Sequence, residues 1–200
     1  MIKNVIFDFG QVLVHFIPRY MTEAYIENES DVSLAEDVIF DRLYWDKLDA
    51  GTISDDEVVE LIKKRLPERL WQNAEKAFRN WIYNIPQIEG MEENVIKLKE
   101  KGINICILSN ISKGFAEHYE EIPILKHFDK FVFSSTCGMV KPNKDIFEHV
   151  LNKYNFKAEE TLFVDDRKEN IEGALSVGIN GYLFDGNAEK FSKFIEETIR

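Results

Sequence analysis

Two short apolar runs that end in carboxylates constrain this chain more than any other feature. Residues 5–9 read Val-Ile-Phe-Asp-Phe and lead into Gly10, while residues 161–164 read Thr-Leu-Phe-Val and lead into Asp165 and Asp166. A strand that is apolar at nearly every position, rather than every second one, is buried on both faces, as in a parallel sheet covered by helices. Residues 104–108 and 131–133 read the same way, and residues 181–184 more weakly. Amphipathic helical patterns cover residues 91–101, 145–154, 169–177 and 188–199, with Gly102 and Gly178 as stop signals after the first and third. This alternation predicts an α/β fold with a Rossmann-like, doubly wound parallel sheet.

Between the first strand and Gly90 the pattern changes. Residues 19–81 show no strand-like alternation. Ser33-Leu34-Ala35-Glu36 and Ser54-Asp55-Asp56-Glu57 read as capping boxes at helix starts. Gly51-Thr52-Ile53 separates two helical stretches, and Pro67 suits the first turn of a helix running to about Trp81. Pro86 and Gly90 mark the return. The expected organisation is an α/β core over residues 1–15 and 88–200, with an α-helical domain inserted over residues 16–87.

Two hundred residues allow one domain carrying an insertion, and a chain of this size needs no disulfide or metal staple to fold. The net charge of −11, from 36 acidic and 25 basic residues, argues against binding nucleic acid or an anionic membrane surface. No apolar stretch approaches the roughly 20 residues of a spanning helix. Cys106 and Cys137 have no Cys or His neighbour at zinc-ligand spacing, and Cys106 sits in an apolar run as a small core residue. Few cysteines and an N-terminus without a signal-peptide pattern predict a cytoplasmic protein.

Four motifs fall at the carboxyl ends of the strands, where open α/β sheets bind ligands. They are Asp8-Phe9-Gly10-Gln11-Val12, Leu108-Ser109-Asn110, Val140-Lys141-Pro142 and Phe163-Val164-Asp165-Asp166. Singly each has an ordinary reading: a turn former, a pair of loop residues, an exposed lysine, a helix N-cap. The acid pair is the sharpest, because adjacent carboxylates repel unless a cation or partner offsets them. Together they supply the parts of a phosphoryl-transfer site. A carboxylate can attack phosphorus, and a hydroxyl and an ammonium can hold phosphoryl oxygens. Paired carboxylates suit magnesium, which takes hard oxygen ligands.

In order and spacing these motifs resemble the haloacid dehalogenase (HAD) superfamily of hydrolases, and the helical insertion resembles that family's cap. Asp8-Phe9-Gly10-Gln11-Val12 with Val164-Asp165-Asp166-Arg167-Lys168-Glu169-Asn170 is most similar to the sugar phosphatase branch that includes bacterial α-glucose-1-phosphate phosphatases. The phosphatase domain of mammalian epoxide hydrolase is more distant. The resemblance implies a magnesium-dependent phosphatase that hydrolyses small phosphate monoesters, sugar phosphates foremost, through an aspartyl-phosphate. It implies that Asp8 is nucleophile and metal ligand. The carbonyl of Gly10 and the carboxylate of Asp166 are metal ligands too, with Asp165 acting directly or through water. Ser109 and Lys141 bind phosphate, and Asn110 contacts it through its backbone. Glu169 and Asn170 start a helix and receive no catalytic role.

The family pattern places a second Asp two residues after the nucleophile, as general acid. Here that position is Gly10, a gap the sugar phosphatase branch shares. The acid is therefore unassigned. His15 is the substitute by chemistry, against a linker histidine packed beside Phe16. Without an acid, turnover should depend steeply on the leaving group, favouring a sugar 1-phosphate over the 6-phosphate. Arg19, Tyr44, Trp45 and Asp46 are candidates to line a sugar pocket, set against the core role common for aromatic residues. Three other readings compete. A hydrolytic dehalogenase on the same fold would not need the acid pair. A signalling receiver domain would carry the pair on its first strand. A non-catalytic binding protein is supported by Gly10 alone.

Overall fold

The computed structural model describes residues 1–199 of the chain. Strand β1 (Asn4–Phe7) is followed by five helices, α1 (Pro18–Glu23), α2 (Glu29–Ile39), α3 (Arg42–Asp49), α4 (Asp55–Arg65) and α5 (Trp71–Arg79). The chain then runs through α6 (Met91–Glu100), β2 (Asn104–Ser109), α7 (Lys113–His118), β3 (Phe131–Phe133) and α8 (Ser134–Cys137). It ends with α9 (Lys144–Tyr154), β4 (Thr161–Asp165), α10 (Lys168–Leu175), β5 (Asn180–Leu183) and α11 (Ala188–Thr198). The five strands form one sheet in the order β3-β2-β1-β4-β5, every pair parallel. This is the doubly wound α/β sheet that the strand patterns predict.

The apolar continuity of β1 has a direct cause. Val5 and Phe7 enter the hydrophobic cluster on one face with residues of α6 and α11, among them Val95, Leu98, Phe191 and Ile195. Ile6 enters the cluster on the opposite face, against Phe147 and Val150 of α9 and Ala174 of α10. Cys106 joins that second cluster. Fully burying such side chains contributes roughly 1.5–3 kcal/mol each, so Val5, Ile6 and Phe7 at the sheet centre are all apolar. Phe7 pairs with Ile107 on one side and Val164 on the other. One residue further on, Asp8 and Asp165 therefore stand side by side at the carboxyl edge of the sheet.

The helices between β1 and α6 share the first cluster through Met21, Ile39, Leu48, Val58, Ile62 and Phe78. A run of aromatic contacts joins them to the sheet side: Phe16 to Trp45 at 5.4 Å, Trp45 to Trp81 at 5.5 Å, and Trp81 stacked on Phe115 of α7 at 5.7 Å. The two linkers pair with each other. Val14 bridges Gln87 antiparallel, the His15 N–H donates to the Pro86 carbonyl at 2.7 Å, and the Ile88 N–H to the Leu13 carbonyl at 2.9 Å.

The Ser54 capping box forms in full at the start of α4, with Asp55, Asp56 and Glu57 in its first turn. The Ser33 box does not form. Helix α2 begins a turn earlier, where Asn28 accepts from the Ser30 and Asp31 N–H groups, and Ser33 donates to the Glu29 carbonyl inside the helix. Asn is among the best N-cap residues, and placing it there brings Val32, Ala35 and Ile39 onto the buried face. Pro67 precedes a short 3₁₀ turn, Glu68–Leu70, and the α-helix proper runs over Trp71–Arg79, with a second 3₁₀ turn at Trp81–Tyr83. Both cysteines are free. No described helix is long and apolar enough to cross a membrane.

Candidate active site

The carboxyl ends of β1, β2 and β4 open into a cavity of about 330 Å³ between the sheet and the inserted helices. Asp8, Gly10, Ser109, Asn110, Lys141 and Asp166 all line it. Asp165, the remaining acid named from the sequence, lies fully buried beneath. The loop after Asp8 turns sharply: the Gln11 N–H donates to the Val14 carbonyl at 2.7 Å, and Gln11 adopts a left-handed φ of 58°. A non-glycine residue in the left-handed region, on a loop held by a rigid sheet, is common where ligands bind.

Lys141 is the centre of the charge arrangement. Its side chain is 1% exposed, and Nζ lies 2.8 Å from Asp8 Oδ1 and 2.7 Å from Asp165 Oδ2. Burial opposes its charge, but the two carboxylates outweigh burial and raise its proton affinity. Its backbone is fixed by Asn110, whose Nδ2 donates to the Lys141 carbonyl at 3.0 Å and whose Oδ1 accepts the Lys141 N–H at 2.8 Å. The Asn110 side chain is thereby committed to holding the lysine, which leaves the backbone as its route to any ligand. Asp165 Oδ1 accepts the Arg167 N–H at 2.8 Å, and Asn170 Nδ2 donates to both Asp165 oxygens at 3.0 Å. Asn170 thus does more than start α10. Its signal in the sequence is its place one turn into the helix that follows the acid pair.

The site holds more negative charge than Lys141 offsets. Asp8, Asp165 and Asp166 each offer an oxygen, all within 4.8 Å of one another. Burial pushes the Asp8 carboxyl above its ordinary range, Asp165 adds to the push, and Lys141 pulls it back. Asp166 is raised by burial and by Asp165. Three converging carboxylate oxygens, from acids of which two share one ammonium, fit a hard divalent cation, which would relieve that repulsion.

The helical wall differs in part from the sequence expectation. Trp45 lines the cavity, as do Phe16, Phe40 and Trp81. Tyr44, Asp46 and Arg19 do not. Tyr44 meets Arg65 at 2.6 Å, Asp46 pairs with Arg42 at 2.6 Å, and Arg19 pairs with Glu23 at 2.6 Å. Partners one turn along the same helix hold Asp46 and Arg19, and a partner on α4 holds Tyr44, before the cavity can claim them. His15 is half-buried in the linker and absent from the cavity lining. Two charged residues of α3 missed in the sequence are present instead, Arg42 and Asp49. With Trp45 they are spaced i, i+3, i+7 along α3, one face of a helix, and that spacing was the available signal. Burial pushes the Asp49 carboxyl up to about 6, with Arg42, Lys141 and Arg167 pulling it back and Asp46 adding to the rise.

The chain is 28% identical to the sesquiterpene phosphatase astK of Aspergillus oryzae over 184 residues, covering 90% of this chain and 88% of that protein. It is 25% identical to the D-ribitol-5-phosphate phosphatase of Bacteroides thetaiotaomicron over 201 residues, covering 94% and 95% of the two chains. Its fold matches, with a TM-score of 0.73 at 21% identity, a crystal structure of a HAD family enzyme from Bacteroides thetaiotaomicron in complex with magnesium and inorganic phosphate, covering 94% of this chain and 96% of that one. The profile of the haloacid dehalogenase-like hydrolases matches residues 2–178, which takes in strands β1 to β4, the inserted helices and every strand-end motif, and the chain belongs to that family.

Proposed function

We propose that this protein is a magnesium-dependent phosphatase acting on small phosphate monoesters through an aspartyl-phosphate on Asp8. One observation carries the reading: three carboxylate oxygens within 4.8 Å of one another at strand ends, two of the acids paired with a buried lysine, beside a cavity large enough for a small ester. Asp8, Asp166 and the Gly10 carbonyl would hold the ion, with Asp165 acting directly or through water. Magnesium, when bound, supplies charge neutralisation for the phosphoryl oxygens. Asp8 presents its other carboxylate oxygen to phosphorus. Lys141 and Ser109 bind the phosphoryl oxygens where charge accumulates. Lys141 also holds Asp8 in place, since a buried ammonium 2.8 Å away restricts where the carboxylate can point.

A dehalogenase on this fold needs the nucleophile but not a metal, and the acid cluster argues against it. Residues 16–87 act as the family's cap over the core of residues 1–15 and 88–200. Their aromatic wall sets substrate choice, and closure keeps water from the site. Sugar phosphates are the favoured substrates, since Gln11, Arg42, Asn110 and Asp49 offer polar contacts beside ring faces suited to stacking. A second reading, an apolar alkyl phosphate, is favoured by the wall of Phe16, Phe40, Trp45 and Trp81.

The test is release of inorganic phosphate from glucose 1-phosphate, ribitol 5-phosphate and farnesyl phosphate, with and without magnesium, by the wild type and Asp8→Asn. Activity restored to chelated protein by magnesium and lost in the variant is expected. Full activity in excess chelator, or a wild-type rate in the variant, sinks the reading.

A further inference from the structure

We infer that Asp49, the last residue of α3, protonates the leaving oxygen and later takes the proton of the attacking water, the task that Gly10 leaves vacant. This rests on the phosphatase reading above.

Position and elimination come first. The titratable residues lining the cavity are Asp8, Asp49, Lys141 and Asp166, with the arginines Arg42 and Arg167. Arginine holds its proton throughout the working range. Lys141 is pinned between two carboxylates, Asp8 attacks phosphorus, and Asp166 belongs to the acid cluster. Asp49 is the one remaining group able to give up a proton and take it back.

Asp49 also has no structural work to explain it. A carboxylate in the last turn of a helix faces the negative end of the helix dipole, so its place there is unfavourable. Among the described residues its carboxylate has no hydrogen bond or ion pair. The cations around it are engaged elsewhere: Arg42 with Asp46, Arg167 with Glu169, and Lys141 with Asp8 and Asp165. Yet its backbone is held tightly. Ser134 Oγ donates to the Asp49 carbonyl at 2.6 Å and accepts the Ile111 N–H at 2.9 Å, tying the end of α3 to the loop that carries Ser109 and Asn110. Gly51, at φ +68°, lets the chain pass so close to α8 that a Cβ would stand 2.6 Å from the Ser135 carbonyl oxygen. An unpaired acid on a fixed backbone, facing a ligand cavity, is the arrangement a proton donor needs. Its raised proton affinity agrees. With Arg42 and Asp46 facing it from α3, and Lys141 and Arg167 from the core, Asp49 titrates near 6 and can both give and accept a proton close to neutrality.

The steps balance. An Asp8 oxygen forms a bond to phosphorus as the P–O bond to the leaving group breaks, and the leaving oxygen takes the Asp49 proton to depart as an alcohol. Water then attacks the phosphorus of the aspartyl-phosphate and gives a proton to the Asp49 carboxylate. The bond to Asp8 breaks, freeing phosphate.

The experiment measures kcat/KM for wild type, Asp49→Asn, Asp49→Glu and Asp56→Asn on glucose 6-phosphate, phenyl phosphate, p-nitrophenyl phosphate and 2,4-dinitrophenyl phosphate. Asp49→Asn is expected to lose roughly 10²–10⁴-fold on the alkyl ester and far less on the dinitrophenyl ester, whose leaving group departs without a proton. Its dependence on leaving-group acidity should be steep and the wild type's shallow. It should also give a dinitrophenolate burst stoichiometric with enzyme, followed by slow turnover. Asp49→Glu should keep the shallow dependence, and Asp56→Asn, at an exposed acid paired with Arg79 on the inserted helices, the wild-type rates. A uniform loss across the series would assign Asp49 a positioning role and overturn the inference, as would no loss. A wild type inert on the whole series would overturn the phosphatase reading itself.

Discussion

Replacing Asp49 by Asn is expected to stabilise the metal-free protein at pH 8 while it slows turnover. Folding raises the Asp49 carboxyl from its ordinary 3.8 to about 6, chiefly through burial. A group whose proton affinity rises on folding contributes its stability in full below the unfolded value, and that contribution is lost as pH climbs through the folded value. The window here is therefore pH 3.8 to about 6. Above it the folded protein carries a charge that burial disfavours, at about 1.4 kcal/mol for each tenfold change in proton affinity, or about 3 kcal/mol as a ceiling. An Asn side chain copies the shape of the protonated acid and avoids that charge. The gain should grow from about 1 kcal/mol at pH 4.5 to at most about 3 kcal/mol at pH 8. In a chain of this length that corresponds to a Tm rise on the order of 5–10 °C at the alkaline end. Thermal unfolding of both proteins in chelator, from pH 4.5 to 8.5, measures it. A difference that stays flat with pH, or a less stable variant at pH 8, would refute the claim that burial strains this carboxylate. A stabilised, slower variant is the usual signature of a site residue kept at a cost to the fold.

Two further outcomes follow from the same geometry. Lys141→Ala leaves Asp8 and Asp165 facing each other without their shared ammonium, 2.8 and 2.7 Å away in the wild type. It should cost roughly 3–5 kcal/mol in denaturant unfolding at pH 7.5, and an unchanged midpoint would mean that the acids are compensated elsewhere. Gly51→Ala puts a Cβ 2.6 Å from the Ser135 carbonyl oxygen at a φ of +68°. It should destabilise by about 1–3 kcal/mol and lower kcat/KM by shifting Asp49, whereas a wild-type Tm would mean that the contact yields freely.

Legibility in the sequence followed how local each cause was. The strands around Phe7, Ile107 and Val164 announced themselves because both their faces are packed, and a segment of a few residues carries that requirement. β5 was weaker for the matching reason: it is an edge strand, and most of its residues are exposed. Asp8 and the Asp165-Asp166 pair were visible because carboxylates at the ends of apolar strands need an explanation. The start of α2 differs from the Ser33 box because capping at Asn28 brings Val32 and Ala35 onto the buried face, a choice made by packing rather than by the local motif. Residue type alone makes Arg19, Tyr44 and Asp46 cavity candidates, yet Arg19 and Asp46 pair one turn along their own helices and Tyr44 pairs with Arg65 of α4.

The sequence by itself determined the order of chemistry along the sheet: an acid after β1, a hydroxyl after β2, a lysine ahead of α9 and an acid pair after β4. Strand polarity and right-handed connection place all of them at one edge, whatever the loops do. What only the tertiary structure decided was how those charges are shared and what faces them. That Lys141 divides itself between Asp8 and Asp165, with Asn110 and Asn170 holding it and its partner, depends on contacts between segments tens of residues apart. That α3 turns Arg42, Trp45 and Asp49 toward the cavity, rather than Tyr44 and Asp46, depends on how the inserted helices dock through Trp45, Trp81 and Phe115. Periodicity gives a helix its faces, but only packing against the rest of the molecule chooses which face meets the substrate.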